Sequence, residues 1–227
     1  MMMYFKRLMR GAARLILKRV GYVAYPKAVL PLTLRTMRAA RVLIDLFDRI
    51  AAVDGAVVEC GVGKGRSFVI LSALVFDEKK GRKIWGFDSF EGFPEPTDED
   101  ASTRAPKAGE WAGTSSDDVR AIVRTFGMST EFIRDSVKLV KGFFEDSLVS
   151  YDRKPIAFLH VDADLYESYV TVLETLAPFV APGGIVLFDE YGEEHWPGAT
   201  RAVDEFLSKH PWELEKHKGG KYFFIKT

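Results

Sequence analysis

The sequence has only one cysteine, Cys60, and no long run of apolar residues. A single thiol excludes an internal disulfide and a thiolate metal cage. No run of 18 apolar residues occurs, so the sequence predicts no membrane-spanning helix. Of the 227 residues, 47% are hydrophobic and 28% are charged, a balance that excludes disordered and low-complexity classes. The length fits one α/β domain with a buried core.

Acidic residues are absent from the first 44 positions, where ten basic residues occur. All 32 acidic groups therefore lie in the rest of the chain, against 22 of the 32 basic ones. An acidic body with a basic arm, residues 1–32, does not indicate a nucleic-acid groove, and we expect no nucleic-acid partner. Charges at Arg10, Arg14 and Lys18 interrupt any apolar core, so we do not interpret the arm as a signal peptide and expect a cytoplasmic protein.

Residues 3–19 of the arm have an amphipathic pattern with apolar side chains on one side. Such a face needs an apolar partner. We expect the arm to pack as a helix over the substrate side of the domain or against a second subunit, in a homo-oligomer such as a dimer. A membrane surface is the competing partner.

Beyond the arm, residues 33–227 alternate between strand and helix patterns. Five apolar segments predict strands: 56–60, 83–88, 137–141, 156–162 and 185–189. Helical spacing covers the segments 33–51, 66–76, 115–127, 166–177 and 199–209. Two final strands, about 212–216 and 221–226, flank Gly219-Gly220 and predict an antiparallel hairpin. Apolar strands flanked by helices indicate a mostly parallel sheet covered on both faces.

Ligands of such sheets bind at the carboxyl ends of the strands. Glu59 and the turn 61–65, which reads G-V-G-K-G, follow the first strand. This spacing is not the dinucleotide G-x-G-x-x-G, and the sequence has no P-loop. Asp88 closes the second strand, where a carboxylate can accept hydrogen bonds from both hydroxyls of a ribose. Together they indicate a nucleoside ligand. The alternative is a tight turn with Asp88 as a cap.

Aromatic side chains occur near two further predicted loops. Gly142 and Phe143 follow the third strand, where the ring could hold an adenine or simply join the core. Residues 89–114 form a long loop, and loops of this length are usually functional lids or disordered. Trp111 lies between two glycines of that loop, and we expect it to close over the cofactor or the substrate.

Four carboxylates follow two neighbouring strands: Asp162 and Asp164 after the fourth, Asp189 and Glu190 after the fifth. Four unpaired carboxylates would repel one another, and a hard cation such as Mg²⁺ resolves that repulsion. One of the four could instead cap a helix, but not all of them.

Two histidines lie close to these carboxylates. His160 shares the strand parity of Asp162, so it either orients that carboxylate or packs in the core. His195 follows the fifth strand and either contacts the substrate or is a solvated loop residue.

Several runs of the sequence resemble the macrocin O-methyltransferase family. These are F-L-H-V-D-A-D-L-Y-E-S at 158–168, G-F-D-S-F-E-G at 86–92, P-G-G at 182–184 with F-D-E-Y-G at 188–192, and two short blocks within 198–206. The resemblance implies a single Rossmann-like class I methyltransferase domain, residues 33–227, with seven strands and a C-terminal antiparallel hairpin. It also implies S-adenosylmethionine as methyl donor, Mg²⁺, and a small-molecule hydroxyl acceptor, a sugar or phenol of a natural product or glycoconjugate.

The resemblance also suggests roles for individual residues. The expected cofactor-binding residues are Glu59, Gly61, Gly63, Ser67, Asp88, Ser89, Phe90, Gly142, Phe143 and Asp162. Asp162, Asp189 and Glu190 are the expected metal ligands, although the family usually has a second aspartate where this chain has Glu190. Asp164 is the expected base, with Asp162 also at the catalytic centre. His195 and Trp111 are expected to contact the substrate because of their positions in the loops, not because of the resemblance.

Two other functions stay open on the residues alone. The first strand, its turn and Asp88 allow a nicotinamide-dependent dehydrogenase, although the glycine spacing and the carboxylate cluster count against it. A non-catalytic nucleoside-binding module is the other alternative.

Overall fold

The structure is a computed structural model that describes residues 33–227. The basic arm, residues 1–32, and its amphipathic pattern lie outside the described residues. Within the described part of the chain, no helix is long and apolar enough to cross a membrane.

A seven-stranded sheet forms the centre of the domain. Its strands are β1 (Ala56–Cys60), β2 (Ile84–Asp88), β3 (Val137–Lys141), β4 (Ile156–Val161), β5 (Val180–Phe188), β6 (Glu215–Lys216) and β7 (Tyr222–Ile225). The spatial order is β3-β2-β1-β4-β5-β7-β6. Strands β1 to β5 pair in parallel, and β7 runs antiparallel to both β5 and β6. The predicted mostly parallel sheet with a C-terminal antiparallel hairpin is confirmed.

Seven α-helices surround the sheet in this part of the chain. They are α1 (Leu34–Arg49), α2 (Arg66–Asp77), α3 (Ser116–Thr125), α4 (Thr130–Asp135), α5 (Phe144–Ser147), α6 (Tyr166–Leu176) and α7 (Pro197–Leu207). The sequence predicted one helix over 115–127 and missed α4. The chain turns at Gly127, with φ of +86°, and Ser129 then caps the short α4 through the Phe132 N–H.

Strand β5 is longer than the apolar pattern predicts. Its first half contains Pro182-Gly183-Gly184, which the sequence suggested as a turn. The Gly183 N–H donates to the Lys226 carbonyl, and the Lys226 N–H donates to the Gly184 carbonyl. Backbone pairing with a distant segment therefore makes this glycine-rich stretch a strand.

The two central strands position the site. Every residue of β1 and β4 is buried, as expected for strands covered on both faces. After β3 the chain returns to the other side of β1, so the strand order reverses between β1 and β4. This switch point is where open α/β sheets bind ligands.

Candidate functional site

Gly61 lets the ends of β1 and β4 approach each other. Its φ is +94°, and a Cβ at this position would lie 1.6 Å from the carbonyl oxygen of Asp162. The Asp162 N–H donates to the Cys60 carbonyl at 2.9 Å, which continues the strand pairing to this point. Any side chain at Gly61 would therefore force the two strand ends apart.

Gly63 faces open space. Its φ is +50°, and a Cβ there would have no atom of the described chain within 4 Å. The Gly63 N–H donates to Oδ2 of Asp88 at 2.7 Å, and the Phe90 N–H donates to Oδ1 at 2.6 Å. Each carboxylate oxygen keeps acceptor capacity for a ribose hydroxyl. The open face of Gly63 beside this carboxylate fits a nucleoside.

Five further predicted cofactor residues follow β2 and β3 or lie on α2. The Ser89 hydroxyl donates to the Gly92 carbonyl and accepts from the Glu91 N–H, so it folds the turn after β2. Phe90 is buried with φ of +53°. The remaining three are half-buried: Ser67 in the first turn of α2, Gly142 just after β3, and Phe143 at the start of α5.

Three of the predicted carboxylates come together. Asp162, Asp164 and Glu190 each place an oxygen within 4.8 Å of the others. Burial, followed by the charge of Asp189, raises the pKa of Asp162 to about 7. Burial and the neighbouring carboxylates also raise the pKa of Asp164 and of Glu190 well above the ordinary range. A cation would relieve this repulsion, and the all-oxygen donor set fits Mg²⁺, Ca²⁺ or Mn²⁺.

Glu190 is held by a buried tyrosine. The Tyr169 hydroxyl on α6 lies 2.6 Å from Oε2 of Glu190, and the Asp164 N–H donates to the same oxygen at 3.3 Å. Tyr169 was not predicted as a site residue, because no motif marks it and its contact depends on how α6 packs on β5.

Asp189 is half-buried and faces different neighbours from the other three carboxylates. Its Oδ2 lies 3.2 Å from Nζ of Lys221, which also contacts Glu193 at 2.9 Å. Its Oδ1 lies 4.0 Å from Nε2 of His160. Lys221 comes from the turn before β7, and sequence reasoning did not identify it.

Glu59 and His160 form a buried pair beside this group. The His160 Nδ1 lies 2.9 Å from Oε1 of Glu59, and both side chains are buried. Burial lowers the pKa of His160, but the hydrogen bond and the charge of Glu59 outweigh it and raise the pKa to about 9. Oε2 of Glu59 has no hydrogen-bond partner within residues 33–227.

Asp164 has a left-handed backbone conformation with φ of +61°, which few non-glycine residues adopt and aspartate adopts more readily than most. It lies just before α6, where a helix cap is expected. However, Oδ1 of Asp100 accepts the Tyr166 N–H at 2.8 Å, and the N-cap residue Leu165 makes no side-chain cap bond. Asp100, which lies 66 residues earlier in the chain and was not predicted, therefore caps this helix.

The long loop 89–114 is docked on the neighbouring loops. Ser102 donates through its hydroxyl to the His195 carbonyl at 3.0 Å, while the His195 residue itself is exposed. The loop begins at the end of β2. Its Asp100 contacts Tyr166, which follows β4, and its Ser102 contacts His195, which follows β5. The loop therefore spans the carboxyl edge of the sheet over β1.

An arginine is held among three aromatic rings in this region. The Arg104 guanidinium lies 5.7, 5.1 and 4.8 Å from the ring centroids of Phe93, Trp111 and Trp196. It also donates to Oε2 of Glu110 at 2.8 Å. Trp111 stays 58% exposed, so part of its ring is free for a ligand.

Solved structures define the class of protein to which this fold belongs. The O-methyltransferase NovP is similar with a TM-score of 0.72 and 27% identity, covering 84% of this chain and 80% of NovP. The calicheamicin methyltransferase CalS11 gives 0.72 and 26%, covering 86% and 80%. The chain therefore has a Rossmann-like methyltransferase fold.

The family follows from the sequence comparison. The family model of macrocin O-methyltransferase (TylF) matches residues 31–215, and the chain belongs to this family. The resemblance found in the sequence is thereby confirmed.

Three curated relatives are named as O-methyltransferases. One, from Streptomyces olivaceus, is 8-demethyl-8-(2,3-dimethoxy-alpha-L-rhamnosyl)-tetracenomycin-C 4'-O-methyltransferase, 35% identical over 144 residues. The demethyldecarbamoylnovobiocin O-methyltransferase of Streptomyces niveus is 29% identical over 162 residues. The mycinamicin III 3''-O-methyltransferase of Micromonospora griseorubida is 28% identical over 162 residues. The matches cover 61%, 69% and 70% of this chain and 54%, 60% and 62% of the relatives.

Proposed function

We propose that this chain transfers a methyl group from S-adenosylmethionine to a hydroxyl of a small-molecule acceptor in a metal-dependent reaction. The acceptor is a sugar or phenol of a natural product or glycoconjugate. The observation that carries the proposal is the group formed by Asp162, Asp164 and Glu190 directly beside the glycine turn and Asp88. The names of the curated relatives support the acceptor class.

The cofactor half of the proposal rests on the ends of β1, β2 and β3. Asp88 would accept hydrogen bonds from the ribose hydroxyls, and the backbone at Gly63 leaves room for the nucleoside. Gly142 and Phe143 would contact the adenine. These residues would hold the cofactor, whose sulfonium would supply the methyl group.

The acceptor half rests on the carboxylates. Asp162 and Glu190 of this group are proposed metal ligands together with Asp189, which lies outside the group of three but whose charge acts on both of them. Tyr169 would orient Glu190, and Lys221 would offset the charge of Asp189. A bound Mg²⁺ supplies Lewis acidity, lowering the pKa of an acceptor hydroxyl and fixing its direction. Methyl transfer is an in-line displacement, so donor and acceptor must be held at about 3 Å with correct alignment.

Asp164 is the proposed base for the acceptor proton. Asp164 lies just before α6, but its side chain is not needed to cap the helix, because Asp100 accepts the hydrogen bond from the Tyr166 N–H. The Asp164 carboxylate lies in one group with Asp162 and Glu190, from where it could accept the proton of an acceptor hydroxyl held at that group. His195 and Trp111 are the proposed substrate contacts from the surrounding loops.

A methyl-transfer screen tests the proposal. The protein is incubated with S-adenosylmethionine labelled in the methyl group and a panel of glycosylated and phenolic acceptors, with Mg²⁺ or with EDTA. We expect labelled product with Mg²⁺ only. S-adenosylhomocysteine binding without turnover of any acceptor would favour a binding module, and tight binding of a nicotinamide dinucleotide would favour a dehydrogenase. The homo-oligomer, the position of the arm and the cytoplasmic location stay predictions.

A further inference from the structure

We propose that Glu59 and His160 are a positioning pair that holds the metal ligands Asp162 and Asp189 in place, and that Glu59 does not contact the cofactor. The inference rests on the metal-dependent function proposed above. It assigns to both residues a role that the glycine-turn motif does not suggest.

The pair is fixed by the centre of the sheet. Glu59 and His160 are direct partners in the parallel register of β1 and β4, the two fully buried central strands. Their side chains meet through Nδ1 and Oε1 at 2.9 Å with no exposed surface on Glu59. A buried carboxylate is costly unless a partner offsets its charge, so this contact determines where both groups lie.

The second ring nitrogen of His160, Nε2, faces the proposed metal ligands. Nε2 of His160 is 4.0 Å from Oδ1 of Asp189. Glu59, His160 and Asp162 also place one ligand-type atom each within 4.8 Å of one another. The ring therefore lies between Glu59 and two of the proposed ligands, and Glu59 sets the orientation of the ring.

The burial of Glu59 separates it from the space that a nucleoside can occupy. The open space at the turn lies at Gly63 and Asp88, whereas Glu59 has 0% exposure. Groups that orient ligands in this way typically change metal affinity about 10–100-fold when they are removed. Substitution of Glu59 should thus weaken metal binding even though Glu59 lies on the strand that leads to the cofactor turn.

The experiment measures Mn²⁺ affinity by electron paramagnetic resonance of the full chain saturated with S-adenosylhomocysteine. Glu59→Met and His160→Asn should weaken Mn²⁺ binding about 10–100-fold. Glu59→Gln, which keeps an acceptor for Nδ1, should weaken it less. His217→Asn is the matched control, because His217 is a buried histidine that contacts Asp45 rather than the carboxylate group, and it should leave the affinity unchanged. Thermal melting confirms that each variant folds.

Calorimetry with S-adenosylhomocysteine provides the second readout, and we expect similar affinity in all variants. Weaker nucleoside binding by Glu59→Gln with unchanged Mn²⁺ binding would make Glu59 a cofactor contact and overturn the inference. A nitrogen coupling to bound Mn²⁺ that His160→Asn removes would make His160 a ligand and overturn the positioning role. Wild-type protein that binds no Mn²⁺ would refute the metal-dependent function and the inference with it. Normal wild-type binding with unaffected variants would refute the inference alone.

Discussion

Two glycines of the same turn should respond to alanine in opposite ways. A Cβ at Gly61 meets the Asp162 carbonyl oxygen at 1.6 Å, whereas a Cβ at Gly63 meets no atom of the described chain within 4 Å. Gly61→Ala should therefore damage the fold, and Gly63→Ala should leave the fold intact but obstruct the cofactor. Gly81→Ala is the matched control, because Gly81 also has a positive φ of +72° and open space, but lies between α2 and β2.

The magnitudes follow from the backbone. An L-residue in the left-handed region costs about 1–2 kcal/mol, which applies to Gly63→Ala and Gly81→Ala alike. In a domain of this size, about 1 kcal/mol lowers Tm by roughly 2–4 °C, so both variants should melt roughly 2–8 °C lower. Gly61→Ala adds a clash with backbone that cannot move without separating β1 from β4. We expect a loss above about 4 kcal/mol, and hence a largely unfolded protein.

Thermal melting and calorimetric titration with S-adenosylhomocysteine distinguish the three variants. Gly63→Ala should bind the nucleoside at least about tenfold more weakly, a change of about 1.4 kcal/mol. Gly81→Ala should bind normally. Normal affinity in Gly63→Ala would refute the close approach of the cofactor to this turn. Normal stability in Gly61→Ala would refute the contact between the two strand ends.

Three further predictions concern the acceptor side. Asp164→Asn keeps the shape of the side chain but removes its basicity, so kcat for the best acceptor should fall roughly 10²–10⁴-fold while the Mn²⁺ affinity stays unchanged. A near-normal kcat would exclude Asp164 as the base. Asp100→Ala leaves the Tyr166 N–H without its cap and should cost about 0.5–2 kcal/mol, measured by thermal melting against the exposed Asp98→Ala. Arg104→Ala removes the contacts to three rings and should speed amide hydrogen exchange within residues 93–111, whereas unchanged exchange would show that other contacts hold the loop.

The fold was largely predictable because its strongest signals are local. The bounds of β1 and β3 agree with the predicted segments, since apolar residues there are bounded by turn residues on both sides. The start of β5 was not predictable, because Gly183 and Gly184 become strand only by pairing with Lys226. The six residues of α4 are too few to show a helical period.

The convergence of the carboxylates was predictable because parallel strands end at one edge of the sheet. Their partners were not. Three of these partners lie far along the sequence from the residues they contact. Tyr169 is 21 residues from Glu190, Lys221 is 32 residues from Asp189, and Asp100 is 66 residues from Tyr166. Such contacts depend on tertiary packing, and no spacing rule identifies them. Glu59 was predicted at the cofactor from its position before the turn, but the burial of its side chain depends on β4.

The measurement that tests the central claim most directly is the ¹³C line width of S-adenosylmethionine labelled in the sulfonium methyl group and bound to the protein. The ion and the methyl donor are proposed to bind at neighbouring strand ends. We therefore predict strong broadening when Mn²⁺ replaces Mg²⁺, and none in a variant that carries both Asp162→Asn and Asp189→Asn. A narrow methyl line in the wild-type protein saturated with both Mn²⁺ and S-adenosylmethionine would contradict the proposed site.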